Sequence, residues 1–297
     1  MEPLCLAVDI GGTKMAAGLV DRDGAVRDAD HVLTPHSHDP EAVWSGLEAL
    51  VGGVVTHAPQ GALSVCGVGC GGPMERGGAT VSPLNIEGWR GFPLRSRVAD
   101  LVGVPTAVDN DAKALALGEG WRGAAVGSDN FIAMVVSTGV GGGIVLDGVL
   151  LDGRLGNAGH IGHVVVEPDG RRCSCGGLGC LEAEASGTAI ADVTGRPAAE
   201  ATLEVIERTG TLVGRAVASV ANLLDLDLAV VAGSVALGFG EPFFAAARVE
   251  IARRARMAFS KGTRIVPAGL GGDGPLVGAG AVGWRLYDGG AIPGRAR

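Results

Sequence analysis

The chain has 297 residues, 47% of them apolar, which suffices for two domains or one large α/β unit with a substantial core. Its formal net charge of −8 argues against a broad nucleic-acid footprint, because a phosphate backbone is gripped by clustered lysine and arginine. No run of about 18 consecutive apolar residues occurs, and Met1-Glu2-Pro3 lacks the basic-then-apolar start of an export signal, so the expectation is a cytoplasmic protein with no membrane partner and no disulfides.

Residues 4–8 form a short apolar run ending at Asp9, and Ile10-Gly11-Gly12-Thr13-Lys14 turns the chain into a second apolar run that stops at Asp21. The pattern predicts strand, glycine turn, strand. A helix is expected over 40–51, with Asp39 as its cap and Pro40 in the first turn. Gly67, Gly69 and Gly72 have Gly-x-Gly-x-x-Gly spacing, but Pro73 follows at once and no helix opens as a dinucleotide fold requires. Another helix is expected over 111–121.

Residues 131–146 then repeat the opening pattern. Ser137 stands where Asp9 stands and Gly139 where Gly11 stands, both at an offset of 128 residues, which points to two similar domains that each open with a glycine-turned hairpin. One such turn is an ordinary hairpin loop. Two at matching positions become candidates for holding a nucleotide's phosphates, because glycine lets backbone N–H groups approach phosphate oxygens closely. Neither has Walker spacing. Further helices are expected over 197–208, 211–224 and 241–258, with an apolar run from Leu226 to Ala232 that ends in the turn Gly233-Ser234.

Six cysteines divide into two groups. Cys5, Cys66 and Cys70 lie in apolar stretches and are expected to be buried, inert thiols. Cys173, Cys175 and Cys180 follow Cys-x-Cys-x4-Cys spacing, with His163 ten residues upstream. Three thiolates and an imidazole make the closed tetrahedral set of structural zinc, and Gly170, Gly176, Gly177 and Gly179 permit the turns that wrapping needs; the alternative is a glycine-rich loop of reduced thiols. A closed site leaves no position for an activated water, so the metal's task would be to hold His163, and the Glu182 that follows Cys180, in place.

The stretch from Gly162 to Gly187, together with Asp9-Ile-Gly-Gly-Thr-Lys14, Asn110-Asp-Ala112 and Ser137-Thr-Gly-Val-Gly-Gly-Gly143 in that order, resembles the ROK family of bacterial sugar kinases and related repressors over nearly the whole chain. The resemblance implies the actin-like, hexokinase-like (ribonuclease H-like) α/β fold, duplicated, with a cleft between two domains. The smaller would comprise 1–115, completed by a C-terminal helix 277–288, and the larger 116–276 with the zinc loop. It also implies transfer of a phosphoryl group from ATP, with Mg2+, to a sugar hydroxyl, usually on C6, by a homodimer.

By the same resemblance Gly11, Gly12, Thr13 and Lys14 would cradle phosphates, with Asp9 near the magnesium. Thr138 and Gly139 would do so from the second domain, and Gly233 would lie by the adenosine. Asp111 matches the general base, a task a carboxylate can meet because it need only accept the hydroxyl proton; its alternative role is a helix N-cap. Gly72, Asn85, Asn110, Asp111, His160, His163 and Glu182 match sugar-binding positions, although Asn85 would serve equally as a turn residue.

Three residues depart from the pattern. His160 replaces the glutamate usual in members that phosphorylate glucose, while members acting on N-acetylmannosamine are similar here, with Gly-His-Ile-Gly-His. The expected sugar is therefore an N-acylated hexosamine, N-acetylmannosamine first, with glucose as the alternative. Asp109 stands where glutamate is common. Lys113 stands where asparagine is, and is expected to face solvent one turn into its helix. A transcriptional regulator of the family would carry a helix-turn-helix domain before the first strand, where three residues precede Leu4. A catalytically silent sugar sensor would have no use for two phosphate turns together with Asp111.

Overall fold

The computed structural model describes residues 2–290 and 292–294. They form two compact units. The first runs to Val126 and includes Gly148–Ala158 and the chain from Gly269 onward, and the second comprises Gly127–Asp147 and Gly159–Ala268.

In the first unit β1 (Leu4–Ile10), β2 (Lys14–Val20), β3 (Val26–Leu33), β4 (Leu63–Cys70) and β5 (Thr106–Asn110) make one sheet in the order β3-β2-β1-β4-β5. β1 is antiparallel to β2 across the glycine turn and parallel to β4, which is parallel to β5. Three helices accompany them: α1 (Pro40–Val55), α2 (Leu94–Val102) and α3 (Asp111–Arg122). α1 starts as its sequence requires, with Asp39 accepting from the Glu41 N–H at 3.0 Å and Pro40 in the first turn. Its apolar face of Val43, Trp44, Leu47, Leu50, Val51 and Val54 has helical spacing and is buried.

The C-terminal helix Gly274–Tyr287 lies directly on this sheet. A Cβ at Gly67 would come within 2.0 Å of the Ala279 carbonyl, and one at Gly283 within 2.4 Å of Cys5 Sγ. Glycines that look like breakers in the sequence therefore set the helix-to-sheet distance. Trp284 is fully buried, its indole donating to the Asp21 carbonyl at 3.1 Å. The buried Glu119 at the end of α3 accepts backbone N–H groups from Ala124, Gly269 and Leu270 at 2.6, 3.0 and 3.2 Å, which ties α3 to the chain entering that helix. Cys5, Cys66 and Cys70 are buried, as their apolar context implies, and burial pushes their thiols well above the ordinary value.

The second unit repeats the arrangement. β6 (Phe131–Val136) is antiparallel to β7 (Val140–Leu146) across a turn and parallel to the strand Leu228–Ala232, beyond which Arg264–Pro267 adds in parallel. In each unit, then, the first strand has its hairpin partner on one side and parallel strands on the other, which is the duplication that the 128-residue offset suggests.

The helices of this unit are α4 (Leu181–Ala185), α5 (Gly187–Thr194), α6 (Leu203–Leu224), α7 (Ser234–Phe239) and α8 (Glu241–Arg254). Two of the expected elements, 197–208 and 211–224, are in fact one 22-residue helix, capped by Thr202 and preceded by a short 3-10 turn at Ala198–Glu200. Gly210 does not break it. A Cβ there would meet the Phe243 carbonyl at 2.3 Å, and one at Gly214 the Ala247 carbonyl at 2.5 Å, so both glycines let α8 lie against α6. The helix expected over 241–258 ends at Arg254, whose carbonyl accepts from the Asn222 amide of α6 at 3.2 Å. Among the described residues no helix is long and apolar enough to cross a membrane.

Candidate active site

In the first unit the carboxyl ends of three parallel strands stand side by side, with Asp9 opposite Gly69 and Gly69 opposite Asp109. Ligands of open α/β sheets bind at such strand ends. A Cβ at Gly69 would lie 3.5 Å from Asp9 Oδ1 and 3.8 Å from Asp111 Cα, so the bare strand position keeps space between the two acidic residues. Asn110 is the N-cap of α3, its Oδ1 accepting from Ala112 N–H at 3.0 Å. The capping role weighed for Asp111 therefore belongs to its neighbour. Asp111 occupies the first helical position, exposed, with Oδ1 2.8 Å from the same N–H. An anionic side chain is favoured there by the helix dipole.

Gly72 lies against Asn110, since a Cβ on it would come 3.5 Å from Asn110 Nδ2. Gly12 of the first turn lies against Asn85, whose Cβ would be 2.5 Å from any Cβ at position 12. Any residue but glycine at position 12 would push Asn85 away. The turn itself is closed by the Gly11 N–H donating to the Lys14 carbonyl at 3.0 Å and clasped by Thr34, which donates its hydroxyl to the Gly11 carbonyl at 2.7 Å and its N–H to the Thr13 carbonyl at 3.0 Å. Thr34 carries no sequence signal of this role, being one of many loop threonines.

Burial pushes the Asp9 carboxyl from its ordinary 3.8 up to about 7; the neighbouring Asp111 adds to the rise and Lys14 opposes it. A folded-state value above the unfolded one means that the fold binds this proton more tightly. The stability it contributes is present below the unfolded value and is lost as pH rises through about 7. Asp9→Asn is thus expected to raise the melting temperature of the ligand-free protein at about pH 8 and to give no gain at about pH 4. Paired thermal melts check this, and a difference that does not change with pH contradicts it.

In the second unit Ser137 N–H donates to the Gly139 carbonyl at 3.0 Å, closing the second turn. Its outer carbonyls are held by the start of α5: Gly187 N–H reaches the Ser137 carbonyl at 2.7 Å and the Thr188 hydroxyl the Thr138 carbonyl at 3.0 Å. Gly233 packs against this end of β6, where a Cβ would meet the Val136 carbonyl at 2.3 Å, and its φ of +100° is open to glycine alone. Ser234 beside it has Oγ 2.9 Å from Ser137 Oγ. Glu182 Oε2 accepts from Val140 N–H at 2.9 Å and would lie 2.9 Å from a Cβ at Gly139. Thr138, Gly139, Glu182 and Gly233 are thereby gathered around one turn.

His160 is exposed, three residues before His163, with ring centroids 6.1 Å apart. His163 Nδ1 lies 3.7 Å from Cys173 Sγ, and Cys175 Sγ lies 3.7 Å from Cys180 Sγ; the four candidate ligand atoms are all within 4.8 Å of one another. A tetrahedron with metal–sulfur bonds of about 2.3 Å has sulfur–sulfur edges of about 3.8 Å, so the donor set fits zinc in both chemistry and size. The loop is wound tightly enough for this because Cys173 N–H bonds the Gly177 carbonyl at 2.8 Å and Gly179, at φ +64°, sits where a Cβ would be 1.5 Å from the Glu167 carbonyl. Leu181 N–H closes the loop on the Val164 carbonyl at 2.9 Å, which brings His163 and Glu182 to the same end.

One expectation fails. Lys113 does not face solvent: it is 3% exposed, with Nζ 2.8 Å from both Asp109 Oδ1 and Asp152 Oδ1. Its position within the first turn of α3 points it back over the strand end, where two carboxylates offset the cost of burying the charge. Asp152, and Arg285 that shares both carboxylates with Lys113, have no motif around them and carry no sequence signal.

With this geometry in view, the family model for the ROK family matches residues 5–283. The N-acetylmannosamine kinase of Escherichia fergusonii is 38% identical over 250 residues, which span 79% of this chain and 84% of that one. The ROK family glucokinase from Streptomyces griseus, solved with glucose and AMPPNP, matches with a TM-score of 0.80 at 32% identity, covering 95% of this chain and 99% of that one. The ROK hexokinase from Thermus thermophilus matches with a TM-score of 0.84 at 30% identity, covering 97% and 100%.

Proposed function

The chain belongs to the ROK family, and on that premise we propose that this carbohydrate kinase moves the terminal phosphoryl group of ATP to the 6-hydroxyl of an N-acyl hexosamine, N-acetylmannosamine foremost, with glucose as the second reading. The observation that carries the sugar assignment is the exposed His160 where a glutamate would offer acceptors alone. An N-acyl carbonyl needs a hydrogen-bond donor, and a neutral imidazole supplies one together with an acceptor. The 38% identity to an N-acetylmannosamine kinase supports the same choice, and the likeness to a glucokinase keeps the alternative in place.

In this reading the Asp111 carboxylate accepts the proton of the sugar hydroxyl as its oxygen bonds to phosphorus and the bond to the ADP oxygen breaks. Gly72, Asn85, Asn110, His160, His163 and Glu182 hold the remaining hydroxyls and the acyl group. Gly11, Gly12, Thr13 and Lys14 take phosphate oxygens on one turn, Thr138 and Gly139 on the other, and Gly233 gives the adenosine room. Magnesium at Asp9 would neutralise phosphate charge; most of the rate then comes from positioning and electrostatics. Zinc on His163, Cys173, Cys175 and Cys180 would fix one nitrogen of His163 and leave the other for the sugar. A cytoplasmic homodimer is the expected form.

The test is ADP release, with magnesium, on N-acetylmannosamine, N-acetylglucosamine, mannose and glucose. N-acetylmannosamine is expected to give the highest kcat/KM. Glucose ahead of it decides for the second reading, and no sugar-dependent ADP release with any of the four refutes both.

A further inference from the structure

Four charged side chains meet behind the junction of β5 and α3. Lys113 Nζ lies 2.8 Å from Asp109 Oδ1 and 2.8 Å from Asp152 Oδ1, and also reaches the Gly156 carbonyl at 3.3 Å. Arg285 of the C-terminal helix approaches the outer oxygens of the same carboxylates, Asp152 Oδ2 at 3.1 Å and Asp109 Oδ2 at 3.7 Å. Two cations and two anions thus bind together β5, the first turn of α3, the segment around Asp152 and the C-terminal helix. Asp109 and Lys113 are also the two ends of an i,i+4 pair whose span contains Asn110 and Asp111. Asp109 Oδ1 accepts the Asn110 N–H at 2.9 Å, so the same carboxylate holds the backbone at the cap.

We propose that Lys113 is a positioning residue: its ammonium, held by Asp109 and Asp152, fixes the strand-to-helix junction that aims Asn110 and Asp111. The proposal rests on the reading of Asp111 as the proton acceptor. A buried ion pair contributes little stability beyond an apolar pair of the same size, but it fixes geometry, because each charge must meet its partner's oxygen or remain unpaired. Burial pushes the Asp109 carboxyl upward and Lys113 opposes that, so removing the ammonium leaves a buried carboxylate short of its nearest counter-charge. The junction then has a reason to shift. A displacement of about 1 Å at a catalytic group can cost about 100-fold in rate.

A cavity of about 380 Å³ opens beside the cluster, lined by Asp109, Lys113, Asp152 and Arg285 with Arg76 and Arg95. It gives the proposal a sharp test. Truncation in Lys113→Ala removes a propylammonium's worth of side chain, and propylammonium added to the solution can enter to replace it.

The experiment compares the full-length parent, Lys113→Ala, Asp152→Asn and Asp111→Asn by ADP release with the best sugar of the panel, alongside thermal melts. Lys113→Ala is expected to lose about 100-fold in kcat with both KM values within about threefold of the parent, and propylammonium, but not tetramethylammonium, is expected to restore about tenfold of that loss. Parental kcat, a loss carried by KM alone, or no recovery with propylammonium overturns the proposal. If Lys113→Ala does not fold, Asp152→Asn tests the same link, with about a tenfold fall in kcat expected and an unchanged kcat overturning it. Full turnover in Asp111→Asn removes the proton-acceptor reading itself, whereas a dead Asp111→Asn beside a normal Lys113→Ala removes only the positioning role.

Discussion

Asp111→Asn is expected to lower kcat about 1,000-fold while sugar affinity stays within about threefold of the parent. The amide keeps the shape of the carboxylate and can still bond a hydroxyl, but it cannot take a proton from it. The fold should tolerate the change, because the cap of α3 is Asn110, whose side chain bonds Ala112 N–H. What is lost on the stability side is the favourable charge at the helix start, about 0.3–1 kcal/mol, and relief of the repulsion between Asp111 and Asp9 offsets it. ADP-release kinetics and calorimetric titration of the sugar check the two halves separately. A kcat within about tenfold of the parent contradicts the assignment, since a positioned base contributes at least about 100-fold.

The second large effect concerns the loop from His163 to Cys180. Elemental analysis of protein purified without a tag is expected to find about one zinc per chain. Cys173→Ser, which removes a buried candidate ligand, is expected to lower the zinc content and weaken sugar binding at least about tenfold. The reason is the loop's closure: Leu181 N–H on the Val164 carbonyl holds His163 and Glu182 at one end, and a metal on the three thiolates and His163 would draw the two sides of that loop together. Zinc far below one per chain, or parental sugar affinity in Cys173→Ser, contradicts the structural role.

Features that depend on neighbours in sequence are legible without the structure. Both glycine hairpins declare themselves through apolar runs interrupted by glycine, and their matching offset anticipates the repeated strand order. The cysteine spacing likewise anticipates four candidate ligand atoms within 4.8 Å of one another. Asp39 and Pro40 mark the start of α1 for the local reasons that make them good caps.

What escapes is long-range. Lys113 reads as a surface residue because Asp152, one of its two counter-charges, and Arg285, which shares that carboxylate, come from distant stretches with no pattern of their own. Gly210 reads as a helix end because propensity penalises glycine, whereas the close approach of α8 requires it there. Ser234 supports one turn through a single hydrogen bond and Thr34 the other through two, and no spacing encodes either. The candidate site is therefore recognisable from its motifs, while the groups that hold those motifs in place emerge only when the chain is folded.

The most direct measurement is phosphorus NMR of the reaction of the purified protein with ATP, magnesium and N-acetylmannosamine. The account requires ADP and an equal amount of a sugar monoester whose phosphorus is coupled to the two protons of C6. Free phosphate without a sugar ester, or an ester whose phosphorus couples to a single ring proton, contradicts it.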